Sequence, residues 1–540
     1  MSPRSRRRQP PAGDPKPPSE EVFAIFDDML VHARELLAVR SPLDAELIVS
    51  EILGAWWGRP LDDADVEEVI GEALVDHAAR KGTPAALALL VGIAYLGTSR
   101  QAAKAELAAL ELIDRGVARP GWADRVGMVA PAECYASRDV YGDQDSVVCV
   151  YTYGGEERHA LVVLVDHNHG AHPQAVDARG RPALGAMVRD AWVSSQVDKL
   201  LDHCRREGRD NPLMRFEQME PGRTRDLLAA ALDVTDDLVY GTRTAGWDMP
   251  PAASPVSETF GSYHAFVRAR VRALPPGQGR PQPPTFGRDR RATMAARFLA
   301  SDEAEELSDR SAASRCVDII IDYGCARDFG RPLRVSPIKC QRFLLDWLPR
   351  KVMLSAAEQD AMPHVLAAWV RWAGRRTKLP EEGVRATLDA VWDATVKFAE
   401  AYRDPTTFGL RRELVERLLP DGDLEALARR AFAFPFLSGT HDSLDLATLN
   451  PADPAHRRRL LEFEHPGAAA AHLDAHERLA ARLWDGNPPQ LWETAQGMLD
   501  AGHERHAILH LLIEALDRAG DDALALRSAL RTLRHEPPAG

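Results

Sequence analysis

No two cysteines in this 540-residue chain sit at a metal-clip or redox spacing. Cys134, Cys149, Cys204, Cys316, Cys325 and Cys340 are scattered without a C-x-x-C pair, which excludes a thiolate zinc site and a disulfide framework and fits reduced, mostly buried thiols. Aromatics are sparse at 6%, and lysine is rarer still, eight against 59 arginines, a bias that GC-rich coding accounts for better than function. No run of about eighteen apolar residues exists, so no segment reads as a membrane-spanning helix. Also missing are Gly-x-Ser-x-Gly elbows, P-loops, His-Glu-x-x-His motifs and dinucleotide fingerprints, each of which would have pointed to a reaction. A net charge of −13 argues against a surface that attracts nucleic acid or anionic lipid as a whole.

What is present is helix. At this length two to four domains are expected. Residues 1–20 are Pro-, Arg- and Ser-rich without periodicity and read as a disordered tail, whose Arg4, Arg6, Arg7 and Arg8 would touch nucleic acid only weakly. Val22 to Val39 carries Asp27, Asp28 and Glu35, so it reads as an amphipathic helix and not as a signal peptide. Residues 21–120 give about five short helices, with Gly82 and Gly97 as breaks and Thr83-Pro84 and Ser99 as starts. Residues 121–245 change character: Glu133–Val140, Ser146–Tyr153, Arg158–Val165 and Met214–Met219 read as strands, Ala183–Arg206 and Thr224–Leu232 as helices. Gly154-Gly155 marks a hairpin turn. The Pro-rich stretch 246–287, with one helix at Glu258–Leu274, reads as a linker. Residues 288–435 form a helical domain in which Trp347, Trp369, Trp372 and Trp392 read as core, and 436–540 a His-rich helical domain. The fold class is mainly α, helical bundles or αα-hairpins, with a small central α+β domain.

Histidine is the other surplus. Eleven of eighteen histidines fall in two stretches, four in His159–His172 and seven in His456–His510, and imidazole binds metals and moves protons near neutral pH. In the C-terminal stretch His472 and His476 lie one turn apart, as do His506 and His510. Two such helices packed antiparallel would face these four imidazoles towards each other, with Glu514 or Glu477 supplying a carboxylate and His503 preceding the second pair. A divalent metal follows as a possible cofactor, with zinc, iron or manganese as candidates. In the other stretch, Asp166, His167, His169 and His172, with Asp177 beyond, leave the end of an apolar strand, where catalytic groups are often carried.

Glu220-Pro-Gly-Arg-Thr-Arg225 opens a helix whose free amides and two arginines suit an anion, and Asp318 and Asp322 share a helix face.

The string Asp166-His-Asn-His169 resembles the opening of some HNH-class nucleases, which implies metal-assisted phosphodiester hydrolysis. The cysteine pairs of the zinc-binding members and the downstream Asn and His are missing. The stretch His472 to Leu516 resembles small bacterial helical domains with paired histidines around a Trp- or Leu-containing helix. Those domains have no assigned activity, so the likeness implies none. In overall character the chain resembles conserved proteins of high-GC, actinobacterial-type bacteria. Two functions are expected. One is a non-catalytic cytoplasmic scaffold or regulator that engages protein partners through helical surfaces; the other is a metal-binding protein or metal-dependent hydrolase using one of the histidine clusters.

Overall fold

A computed structural model describes residues 20–58, 67–168, 186–244, 256–279, 284–352, 354–403, 410–435, 437, 440–441, 444–501, 503–520 and 522–535. The N-terminal helices are α1 (Glu20–His32), α2 (Pro42–Gly54), α3 (Ala73–Lys81), α4 (Pro84–Leu96) and α5 (Ser99–Asp114). α4 carries no charged residue and is buried along most of its length, the mark of a helix at the centre of a bundle. Its start is set by Thr83, whose hydroxyl accepts the Ala86 N–H, and by Pro84 at the first helical position. α5 begins at Ser99, as expected, but its cap lies one residue earlier. Thr98 and not Ser99 is the cap, because Gln101 returns its side chain to the Thr98 N–H and closes a capping box. Gly82 ends α3 at φ 61°, a left-handed conformation that suits glycine.

The strands β1 (Val129–Asp139), β2 (Gln144–Tyr153), β3 (Glu156–Asp166), β4 (Met187–Ser194) and β5 (Met214–Met219) form one antiparallel sheet in the order β4-β3-β2-β1-β5. Gly154 and Gly155 both have positive φ and make the tight β2–β3 turn. β3 is buried on both faces. Leu161, Val163 and Val165 join a core with α7 (Pro221–Thr244) and α8 (Phe260–Ala273), while Ala160 and Val162 face α6 (Val197–Asp210) through Val197 and Leu201. Each such valine or leucine contributes about 1.5–3 kcal/mol on burial.

Two expectations are corrected here. The helix expected over 183–206 is a strand followed by a helix. Met187–Ser194 pairs along β3, and Met187, Val188 and Ala191 bury on one side, so sheet pairing overrides the mixed local pattern. The stretch expected to link domains carries α8, whose Phe260, Phe266, Val267 and Arg270 are fully buried, so at least that helix is core.

α8 also carries a charge into the interior. Arg270 and Glu46 are both 0% exposed and paired, and Tyr153 donates its hydroxyl proton to Glu46 at 2.7 Å. His159 stacks near Tyr151 and Tyr153, and its Nε2 accepts from the Arg270 Nε at 3.1 Å. Burial, with the Arg270 charge beside it, pulls the His159 pKa down to about 3.

The remaining helices are α9 (Arg288–Leu299), α10 (Arg310–Arg327), α11 (Pro337–Arg342), α12 (Leu348–Lys351), α13 (Ala356–Thr377), α14 (Glu381–Arg403), α15 (Leu410–Leu418), α16 (Leu427–Ala433), α17 (Pro454–Glu464), α18 (Ala470–Asp485), α19 (Pro489–Asp500), α20 (Arg505–Ala519) and α21 (Ala523–His535). The helix expected over 336–348 is broken by a π-turn at Phe343–Trp347. Trp369 and Trp372 are core, edge-on to Phe298, whereas Trp392 is 38% exposed. The chain divides into two compact units. One is Met1–Cys340 with Ala361–Val391, which places 121–245 and 246–287 with the N-terminal helices; the other is Gln341–Asp360 with Trp392–Gly540. The fold is mainly α with one small α+β portion. Among the described residues no helix is long and apolar enough to cross a membrane.

Candidate metal centre

The C-terminal histidines are positioned by the hydrophobic pattern around them. On α18, Leu473, Leu479, Ala480 and Leu483 bury, and this puts His476 on the buried face with His472 one turn before it. On α20, Ile508, Leu509, Leu512 and Ala515 bury, and His506 and His510 flank that stripe. The two helices bring the pairs together in antiparallel sense. The His472 ring lies 5.3 Å from His510 and His476 lies 5.8 Å from His506, while the one-turn pairs are 4.5 and 4.6 Å apart.

A fifth imidazole completes the cluster. His465 caps the C-terminus of α17, its N–H bonded to the Leu461 carbonyl at 2.9 Å. Its ring sits 4.2 Å from His476, 5.0 Å from His506 and 5.2 Å from His472. Ligand atoms converge in two overlapping sets, His465–His472–His476 and Glu464–His465–His506, each with all members within 4.8 Å of one another. Nitrogens bound tetrahedrally at zinc distances stand about 3.4 Å apart, so small side-chain rotations close the gap. His465 and His476 are buried, the latter 2% exposed, while His506 and His510 reach solvent, so the cluster runs from surface to interior.

The electrostatics favour the neutral form of His465, His476 and His510. Desolvation lowers the His476 pKa to about 3, with the four neighbouring histidines adding to the shift. Burial likewise lowers His465, partly opposed by Glu464, and lowers His510. Neutral imidazole is the form that binds metal. The Nε2 atoms of His465 and His476 are buried and accept or donate no hydrogen bond among the described residues. Such an orphaned buried group costs about 1–3 kcal/mol.

Some sequence assignments change. The carboxylate at the cluster is Glu464, held by Arg505. Glu514 is exposed and pairs with Arg518 at 2.8 Å, and Glu477 pairs with Arg458 at 2.9 Å. His503 precedes α20 and lies outside the ring contacts; its N–H donates to the Met498 carbonyl. His465 and Glu464 share no helix with the other four: α17 ends at Glu464 and α18 starts at Ala470, so the seven-residue step from His465 to His472 crosses a helix break and marks no helix face.

The Asp166–His172 stretch is built differently. Asp166 is buried at the end of β3 and accepts the Asn168 N–H at 2.7 Å, an Asx turn. His167 turns away to pair with Asp145 on β2 at 3.1 Å, not with Asp166. His169, His172 and Asp177 lie outside the described residues, and among the described residues no metal-holding group forms here. The Glu220 carboxylate occupies the amides of its own helix start, Gly222 and Arg223, so no anion is needed there. Asp322 pairs with Arg291 at 2.6 Å, and burial, with the Asp322 charge one turn away, raises the pKa of Asp318. No family model, curated protein or solved structure matches the chain, so the functional reading rests on geometry.

Proposed function

We propose that this protein binds a divalent transition-metal ion through the C-terminal histidine cluster, in preference to the scaffold reading. The observation that carries this is the pair of buried, unbonded Nε2 atoms on His465 and His476 inside a group of five imidazoles. A buried neutral histidine that serves only structure ordinarily donates from one ring nitrogen and accepts at the other. A metal ion converts the two orphaned nitrogens from a cost into ligand bonds. A donor set dominated by imidazole with one carboxylate suits zinc or ferrous iron better than manganese, which prefers oxygen ligands. His472 and His476 with His465 supply three nitrogens of a closed set, and Glu464 and His506 supply the alternatives nearer the surface. Capture and retention of the ion are the role this donor set supports most directly, since all five imidazoles face one another.

Metal analysis of the purified full chain tests the reading. One equivalent of zinc or iron is expected, falling at least tenfold in affinity in His476→Leu and in His465→Ala and unchanged in Glu514→Ala. Cobalt substitution should give a visible d–d spectrum of nitrogen ligation. Absence of stoichiometric metal from both aerobic and anaerobic preparations, with no cobalt spectrum, would falsify it.

A further inference from the structure

We infer a second, independent binding site: a cavity in the larger unit that takes a small phosphorylated molecule of nucleotide size. The cavity measures about 1100 Å³ and is framed by the end of β1, by β5, by α9, by residues 330–335 and by the end of α13. Seven arginines line it against three acids, in a protein whose net charge is −13. Coding bias spreads arginine over the whole chain; it does not gather seven guanidiniums around one hollow.

The acids are already spent or outnumbered. Asp139 turns its carboxylate onto the backbone N–H groups of Tyr141, Asp143 and Gln144. Glu217 pairs with Arg138. Arg331 and Arg334 are held by Asp328, which is 3% exposed and also holds Lys339 at 2.7 Å, and Arg334 is further engaged by Asp143 and by the Asn168 Oδ1 at 2.9 Å. Arg331 is therefore oriented before any ligand arrives, which lowers the entropic cost of binding, while Arg334, its nitrogens all engaged, holds the wall in place. Four more, Arg215, Arg290, Arg297 and Arg376, have no acidic partner among the described residues. Two of these are still oriented: Arg290 lies over the Phe286 ring at 4.2 Å and Arg376 over Trp372 at 3.9 Å.

Planar guanidinium forks match phosphate oxygens two at a time, and this is the chemistry that such a lining recognises. Met294, Pro332, Val335 and Leu379 give the rest of the wall an apolar surface for the body of the molecule. The volume suits a small ligand, since ligand cavities run to roughly 1,000 Å³.

Titration calorimetry of the full chain, without added metal, with pyrophosphate, ADP and adenosine decides the matter. Saturable one-to-one binding of pyrophosphate or ADP is expected, with adenosine at least tenfold weaker than ADP. In Arg297→Ser/Arg376→Ser the affinity should fall at least tenfold. Both side chains are exposed and without an acidic partner, so folding is preserved and is confirmed by circular dichroism. Arg290→Ser gives a second, independent variant with the same expected direction. The inference is overturned if neither anion binds, if adenosine binds as well as ADP, or if the variants keep full affinity. Tighter binding of a twelve-nucleotide single strand than of ADP overturns it too, in favour of a polymer groove.

Discussion

His476 holds a buried ring whose Nε2 meets no protein partner among the described residues, and its environment keeps that ring uncharged. A side chain retained for stability alone would be replaced at a loss; one retained for a metal would not. His476→Leu removes an orphaned polar atom and adds apolar contact in nearly the same volume. The metal-free variant is therefore expected to match or exceed the parent by about 1 kcal/mol in denaturant unfolding, while metal affinity collapses. A loss of more than about 2 kcal/mol in the metal-free state would assign the ring a structural hydrogen bond instead. The opposite behaviour belongs to Glu46. It is fully buried against Arg270 and accepts from Tyr153, so Glu46→Ala leaves a guanidinium charge without compensation in the core. Urea unfolding should report a loss of about 3–5 kcal/mol, and Glu46→Gln a smaller one because Tyr153 keeps an acceptor.

At the scale of elements, the cluster ties α17, α18 and α20 together through one point. A bound ion is then a cross-link that the unfolded chain lacks, and at a hundredfold excess over its dissociation constant it should add about 2.7 kcal/mol to stability. Hydrogen exchange should slow most at the end of α17 and the adjoining turns of α18 and α20. Slowing confined to α21 would place the ion elsewhere. The same three elements show what the sequence reveals and what it hides. Two histidine pairs at one-turn spacing announce themselves by periodicity, and the apolar stripes of α18 and α20 fix which way they face. His465 is on a helix cap, where side-chain direction comes from the path of the chain after Glu464, so no period marks it. Glu514 looked like a ligand because it continues the α20 spacing, yet the i, i+4 neighbour Arg518 claims it. β4 was hidden for a related reason: an edge strand gets its conformation from β3 beside it, and residues 187–194 carry only a weak alternation of their own. Asp145 and His167 are twenty-two positions apart, and only the β2–β3 register brings them within 3.1 Å.

Over the whole molecule, the two units each bury a histidine that stays neutral to about pH 3, His159 in one and His476 in the other. Unfolding returns each to an ordinary pKa near 6.5, so below that value the unfolded chain binds a proton that the folded chain refuses. Stability contributed by the neutral rings is complete above pH 6.5 and is lost as pH falls towards 3, at about 1.4 kcal/mol per pH unit for each ring. Asp328 and Asp236, both held below the usual carboxylate range, add a loss of the same sign below about pH 4, when their partners Arg334, Lys339, Arg268 and His264 lose a counter-charge. Denaturation midpoints measured from pH 8 to pH 4 should therefore fall most steeply once the pH passes 6.5. His476→Leu should flatten the acid response of the smaller unit and leave that of the larger one, which His159 governs, unchanged. Saturating zinc should steepen the acid response of the parent, because protons must then displace a ligand as well as enter a desolvated ring, and should leave the His476→Leu curve where it was. An identical acid response in the parent and in His476→Leu would mean that the ring takes up its proton as readily in the folded chain as in the unfolded one, and the desolvated, unbonded ring on which the metal reading rests would be gone.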